Sequence, residues 1–285
     1  NNRNSFTSSK KANTVSQPHL AMRSQSLTLL LSALLVALST AFAPSRLVLA
    51  KIVVSPSHLA SSEQSGEGDD ELARENLKKQ LLQLGASYDR GYGASPKARQ
   101  EVEDVIADLE KLNPETDAAK GISGLGEASP LEGSWRMIWT TAQDVLVLNA
   151  SPLTTVGAIY QVFSPPIVTN IIDLIPKIQA LLPTSLFPPT LIRAEVTTRA
   201  SPRTDLPMRV GLNFESVKLK PVEFLGMDAE NLPPLAFDLP QIPGADAESS
   251  PGYFDVSFLD HEMLVIRQSA PGGLFALVKT DSYSP

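Results

Sequence analysis

The chain has 285 residues and no cysteine, which excludes disulfides, thiolate metal sites and cysteine nucleophiles; its three histidines predict no histidine-based metal site. Apolar residues make up 42% of the sequence, enough for a packed core, which argues against a wholly disordered chain. The formal net charge is −7, and since residues 1–41 carry four bases and no acid, the remainder carries −11, which argues against a nucleic-acid partner and against simple electrostatic docking on anionic headgroups.

The N-terminal residues predict a removable targeting address. Residues 1–21 are interpreted as an upstream or disordered segment, because Met22 is the first methionine and is interpreted as the true start. Arg23, the apolar run 27–38 and the small residues up to Ala41 have the layout of a secretory signal peptide over 22–41. The run is shorter than the roughly 20 residues that span a bilayer, although an uncleaved anchor is an alternative.

Residues 42–69 are predicted to be a transit peptide and linker. The motif Ala41-Phe42-Ala43-Pro44 resembles the cleavage motif of two-part plastid addresses in algae with secondary plastids. The following stretch is serine-rich and contains bases but almost no acid, as transit peptides do. The resemblance implies cleavage between Ala41 and Phe42 and a plastid destination, and an ordinary secreted protein is the alternative.

Two helices are predicted between residues 70 and 113. Leu77, Leu81 and Leu84 have helical spacing in the first. In the second, Ser95 is a suitable N-cap and Pro96 suits the first helical position. The apolar face of this second helix is formed by Val102, Val105, Ile106, Leu109 and Leu112.

Beyond Leu131 the apolar period changes to two, which predicts about seven strands joined by short turns. They are expected at 131–139, 158–163, 191–198, 208–214, 254–258, 263–267 and 274–279. Such a count predicts an antiparallel barrel or sandwich, and we favour a barrel because small barrels have room for one ligand. The bulky residues expected to line its pocket are Trp135, Met137, Trp139, Met208, Leu212, Phe214, Phe254 and Phe258.

The segment 170–189 does not follow the strand pattern. Its apolar residues are spaced like a helix face, although Pro176 lies among them. The segment is expected to be a lid, a lipid-facing patch that contacts a membrane, or ordinary core packed on the barrel. The residues of this possible membrane contact are Ile171, Leu174, Ile175, Ile178 and Leu182.

Several motifs, in order from about Lys79 to Thr280, resemble the plastid lipid-associated protein family, also called plastid fibrillins. They include Ser87-Tyr88-Asp89-Arg90-Gly91, Leu131-Glu132-Gly133-Ser134-Trp135, Gly252-Tyr253-Phe254-Asp255 and Gly272-Gly273-Leu274-Phe275. The resemblance implies a mainly β fold over 70–285: a lipocalin-like antiparallel β-barrel at 131–280, preceded by two α-helices at 70–113. It also implies a plastid protein, peripheral on plastoglobules or thylakoids, that binds prenyl lipids, carotenoids, quinones or fatty acids.

The pair Gly133-x-Trp135 is also similar to the signature that opens lipocalin barrels. There the tryptophan closes the barrel floor under an arginine from a late strand. Arg267 is the candidate for that arginine here, stacking on Trp135, and plain core packing of Trp135 is the alternative.

No catalytic set can be assembled from the sequence. In Asp260-His261-Glu262 the two acids are expected to share a side while His261 points away. We therefore expect a binding protein without catalytic residues, metal or cofactor. The alternatives are a structural coat protein of plastoglobules or thylakoids, acting through an exposed apolar segment, and a lipocalin-like enzyme that modifies a pigment.

Overall fold

The computed structural model describes residues 67–239, 252–269 and 272–281. The predicted upstream segment and signal peptide, and nearly all of the predicted transit peptide, fall at 1–66, outside the described residues. The described helices are α1 (Glu67–Ser87), α2 (Pro96–Lys111) and α3 (Gln143–Leu148), with 3-10 turns at Asp89–Gly91 and Lys177–Ala180. None of these helices is long and apolar enough to cross a membrane.

The described strands form one antiparallel sheet that closes on itself. Eight of them make the ring, in the order β4-β3-β2-β1-β10-β9-β8-β5, and pairing between β4 and β5 closes it. The short strands β6 and β7 pair with β5 outside the ring. The strand bounds are β1 Gly133–Thr140, β2 Thr154–Ser164, β3 Ile167–Pro176, β4 Leu191–Pro202, β5 Arg209–Phe224, β6 Met227–Asp228, β7 Leu235–Asp238, β8 Gly252–Leu259, β9 Met263–Gln268 and β10 Gly273–Thr280.

This architecture confirms the predicted fold class, a lipocalin-like antiparallel barrel preceded by two helices. The predicted start of α2 is also confirmed: Ser95 Oγ accepts a hydrogen bond from the Ala98 backbone N–H at 3.2 Å, and Pro96 is the first helical residue. The helix α3, which the sequence did not predict, lies between β1 and β2.

The helices pack on the outer face of β1 and β8–β10. Apolar side chains of α1 and α2 meet outward-facing side chains of these strands in a cluster that we call the helix-side core. Its buried members are Leu81, Val102, Val105, Ile106, Leu109, Trp139, Phe258, Met263, Val265, Leu274 and Ala276. The barrel therefore has a packed outer layer on one side as well as a core inside.

The interior core extends between two different ends of the barrel. At the end where β1 begins, Ile122 and Leu131 from the preceding loop join fully buried Trp135; we call this the Trp135 end. At the opposite end, where β1 leads into α3, Val145 joins the same core. We call this the α3 end.

The segment 170–189 is not helical where its apolar residues begin. Residues up to Pro176 belong to β3, which pairs with β2 and β4 along its length. Consecutive strand residues point to opposite faces. Ile171 and Ile172 are both buried, so β3 is covered on both faces. Polar Asn170 faces the cavity while apolar Ile171 is buried on the opposite face, which explains why the period-two pattern is missing here.

A cluster of charges around the buried pair Lys78 and Asp260 joins α1 to the turn between β8 and β9. The Lys78 ammonium lies 2.9 Å from the Asp260 carboxylate and 2.8 Å from that of Glu262, and it also contacts Glu75. The prediction that Asp260 and Glu262 share a side is confirmed, since both bind Lys78, while the His261 side chain is exposed. The motif Asp260-His261-Glu262 therefore helps to hold α1 against the barrel.

Candidate functional site

The barrel encloses a cavity of about 120 Å³. Its wall is formed by all eight barrel strands and by α3. Most of the wall is apolar, contributed by Met137, Val145, Ile159, Ile172, Val196, Leu212, Phe214, Phe254, Ile266, Phe275 and Leu277. An apolar wall with a small number of polar groups is the usual composition of a site for an apolar small molecule.

Polar side chains interrupt this wall at a few points: Asp144, Tyr160, Gln161, Asn170 and Gln268. Gln161 and Asn170 lie opposite each other in the β2–β3 pair. On another wall, Gln268 is the last residue of β9, and its Oε1 is buried without a hydrogen-bond partner. The cavity therefore offers polar anchors as well as apolar surface.

The carboxyl of Asp144, in the first turn of α3, is expected to make stability depend on pH. Burial raises its pKa, and the hydrogen bond from the Val145 backbone N–H, at 3.0 Å, offsets only part of that increase. The folded chain therefore holds this proton more tightly than the unfolded chain, so ionisation destabilises the fold at higher pH.

Asp144→Asn is accordingly expected to raise the melting temperature near neutral pH, and the gain should shrink as the pH falls toward the unfolded-state pKa of about 3.9. Melting curves across a pH series test this expectation. Gln143→Asn, at the exposed neutral residue that precedes Asp144 in the same helical turn, is the matched control and should show no such trend. A gain for Asp144→Asn that is independent of pH would contradict this reading.

Half of the side chains expected to line the pocket do line the cavity: Met137, Leu212, Phe214 and Phe254. Phe254 is also held in an edge-to-face contact with Phe163, with ring centroids 6.3 Å apart. Trp135 belongs to the interior core but not to the cavity wall, and Met208 packs against that core.

Trp139 and Phe258 do not face the cavity; both belong to the helix-side core. The cause is a pair of register shifts, one in β1 between Met137 and Trp139 and one in β8 between Val256 and Phe258. A β-bulge adds one residue to a strand, so residues beyond it exchange faces relative to simple alternation. Strict period-two counting therefore put these two aromatic side chains on the wrong face.

Trp135 and Gly133 lie at the Trp135 end of the barrel, and the cation beside them is Lys279. Trp135 Nε1 donates a hydrogen bond to the Leu131 carbonyl at 2.8 Å, and Lys279 Nζ lies 4.4 Å from the ring centroid. Gly133 has φ +119°, a backbone conformation that favours glycine, and the Lys279 side chain lies over it.

The prediction that Arg267 stacks on Trp135 is wrong. Its guanidinium forms ion pairs with Glu103 and Glu110 of α2, each at 2.7 Å. Arg267 therefore joins β9 to the helix layer on the outer face. Lys279 lies in the last strand, directly opposite Trp135 in the β1–β10 pair, which explains why it takes the position over the ring.

The five residues proposed for membrane contact do not share one surface. Ile171 is buried and Leu174 packs against the interior core, whereas Ile178 and Leu182 are exposed. Ile175 is half-buried on β3. These five residues therefore do not form a single helical contact face, because three of them lie on strand β3.

A different apolar surface surrounds the α3 end. Nine large apolar side chains there are 38% to 80% exposed, and we call them the apolar rim. They come from α3 and the loop that follows it, from the segment 177–190, and from the turn between β5 and β6 with its flanking residues. The rim consists of Val147, Leu153, Ile178, Leu181, Leu182, Leu186, Phe224, Leu225 and Met227.

Backbone contacts hold the three segments of the apolar rim together. Lys177 N donates to the Leu153 carbonyl at 2.9 Å, and Gly226 N donates to the Pro189 carbonyl at 2.7 Å. Residues 178–190 carry no charged side chain. Exposed apolar surface that is contiguous and nearly uncharged marks a contact site more often than chance exposure of single residues does.

Sequence reasoning missed the polar lining and the contribution of α3. Gln161 and Gln268 lie on strands whose inward positions were recognisable, so their alternation with apolar neighbours was an available signal. The six residues of α3 are too short a run to show a helical period. Within the described part of the chain, no group of three or more His, Asp or Glu side chains is placed to hold a metal ion.

Comparison with known proteins agrees with the resemblance seen in the sequence. A relative from Arabidopsis thaliana, named "Probable plastid-lipid-associated protein 10, chloroplastic", is 26% identical over 246 residues, a match that covers 74% of this chain and 79% of the relative. No solved structure gives a significant match. The PAP_fibrillin family model matches residues 75–278, from α1 to the last strand of the barrel. The chain therefore belongs to the PAP_fibrillin family.

Proposed function

We propose that this protein binds an apolar molecule of the plastid inside its barrel without transforming it chemically. The observation that carries the proposal is the cavity inside the barrel, with its apolar wall and few polar anchors. Family membership and the chloroplastic name of the Arabidopsis relative support a plastid lipid as the ligand and a plastid as the location. Prenyl lipids, carotenoids, quinones and fatty acids are the candidate classes.

The size of the cavity limits how much of such a ligand it encloses. Its volume of about 120 Å³ is close to that of an engineered cavity of about 150 Å³ that takes up benzene. A ring or a short piece of chain fits this space, whereas a whole prenyl lipid does not. The rest of the ligand would then extend past α3, whose Asp144 and Val145 form part of the wall.

Extraction of the purified protein, followed by mass spectrometry of the organic phase, tests the proposal. We expect a stoichiometric apolar compound with a ring or chain end small enough for the cavity. A protein that carries no such compound, and that binds none of the four candidate classes when they are added, would refute it.

A second candidate function, peripheral attachment to a lipid surface, is favoured by the apolar rim. The rim surrounds the barrel end at which α3 lines the cavity, so attachment there would bring the cavity close to the apolar phase. Apolar side chains partition into a lipid interface in proportion to the area they bury. A structural coat protein of plastoglobules or thylakoids would act through the apolar rim. The rim shares Ile178 and Leu182 with the contact segment expected from the sequence.

The rim predicts a large effect of introducing charge. Leu181→Asp combined with Leu186→Asp should weaken binding to phosphatidylcholine vesicles by about a hundredfold, since each leucine loses the free energy of apolar burial. Vesicle flotation measures the bound fraction. Leu125→Asp is the matched control, because Leu125 is 81% exposed in the loop before β1, at the Trp135 end. Equal losses for control and rim variants, or no loss for either, would contradict attachment through the rim.

A further inference from the structure

The cavity wall, which is apolar over most of its area, differs from the surface around its α3 end in carrying polar groups. The cavity wall contains three amide side chains, Gln161, Asn170 and Gln268, whereas the apolar rim outside consists of large hydrocarbon and thioether side chains. A purely hydrocarbon occupant would satisfy the rim but would leave the amides facing apolar atoms. An occupant with one polar end and one apolar end matches both surfaces.

Gln268 provides the most specific requirement. It is directly opposite Gly273 in the β9–β10 pair and opposite Phe254 in the β8–β9 pair, and it belongs to the cavity wall. Its Oε1 atom is buried and accepts no hydrogen bond. Leaving a buried carbonyl oxygen unpaired costs free energy, so an occupant that donates a hydrogen bond there gains an advantage over one that cannot.

We propose that the cavity takes the polar end of an amphipathic ligand, and that this end carries a hydroxyl or similar donor whose hydrogen bond Gln268 Oε1 accepts. The apolar tail then leaves the barrel past α3 and lies against the apolar rim. This inference rests on the proposed function and adds which end of the ligand enters. By its size, the entering group is a hydroxylated ring or a short hydroxylated chain end.

Two probes of nearly equal shape test the inference: para-butylphenol and para-butyltoluene, which differ in a hydroxyl against a methyl group. Calorimetric titration of the purified protein should show the phenol binding about tenfold more tightly, because only the phenol satisfies the buried acceptor. Without such an acceptor the toluene should bind more tightly, since its methyl group is the more readily desolvated.

Gln268→Leu removes the acceptor while nearly preserving side-chain size. In this variant the preference should reverse, with para-butyltoluene binding more tightly than para-butylphenol. Gln143→Leu is the matched control, because Gln143 is exposed at the start of α3 and does not line the cavity. It should keep the wild-type preference for the phenol.

The outcomes separate this inference from the proposed function. Binding of neither probe, together with the absence of any co-purified lipid, would refute the proposed function. Equal affinities of the wild-type protein for both probes, or a preference for the toluene, would overturn the inference and leave the function standing. Retention of the phenol preference in Gln268→Leu would also overturn it. The wild-type comparison is decisive even where Gln268→Leu does not fold.

Discussion

Val196→Trp is expected to abolish ligand binding while leaving the barrel folded. Val196 lies on β4, is 3% exposed, and faces the cavity. The added indole occupies much of a cavity of about 120 Å³, a volume near that of sites that hold one benzene-sized ring. The ligand end then has no space, so affinity for para-butylphenol should fall by more than about tenfold.

The matched control for this substitution is Thr197→Trp. Thr197 follows Val196 on the same strand and therefore points to the opposite face of the sheet, away from the cavity. Both variants should give circular dichroism spectra like the wild type, and overpacking should cost Val196→Trp about 1–3 kcal/mol of stability. Undiminished affinity in folded Val196→Trp would place the ligand elsewhere.

Lys78→Met is expected to destabilise the protein by about 3 kcal/mol, because it leaves a buried carboxylate without its cation. The Lys78 side chain is 4% exposed and that of Asp260 is 6% exposed. Burial alone would lower the pKa of Lys78, but hydrogen bonds with Glu262, Glu75 and Asp260 raise it above its usual value. The ammonium is therefore charged, and it joins α1 to the β8–β9 turn through Asp260 and Glu262.

Urea unfolding of Lys78→Met measures this loss, and Lys79→Met, at the exposed neighbouring position, should lose far less. Burial tends to raise the pKa of Asp260, but backbone hydrogen bonds from Glu262 and Met263 and the bond with Lys78 lower it overall. The stability that ionised Asp260 contributes is therefore complete above the unfolded-state pKa of about 3.9, and it is lost as the pH falls through the folded-state pKa. The difference in the free energy of unfolding between wild type and Lys78→Met should become smaller below about pH 4. Equal losses of unfolding free energy in Lys78→Met and Lys79→Met would contradict a stabilising role of the charge cluster.

Much of the fold could be predicted because local patterns and tertiary packing agree in most of its elements. In α2 the apolar spacing, Ser95 and Pro96 all indicate the same helix, and the structure places it there. In β1 the alternation through Trp135 and Met137 identifies the inward face up to the bulge. The prediction that the barrel was lipocalin-like came from the family resemblance, since periodicity alone left a sandwich possible.

The remaining parts depend on relations between distant segments that no local pattern contains. The bulges in β1 and β8 arise from pairing with neighbouring strands, and they send Trp139 and Phe258 outward. The choice between Arg267 and Lys279 as the cation over Trp135 is fixed by register between the first and last strands. The apolar rim combines three segments that are far apart in sequence, so no continuous stretch of the sequence contains it.

The central claim is that the ligand end lies inside the barrel, and methyl NMR of isotope-labelled protein titrated with para-butylphenol tests it most directly. We expect shift changes and intermolecular NOEs at the cavity methyl groups of Ile172, Leu212 and Leu277. The methyl groups of Ile106 and Leu109 in the helix-side core should stay unchanged. Changes confined to the apolar rim or to the helix-side core, with none at the cavity methyl groups, would contradict binding inside the barrel.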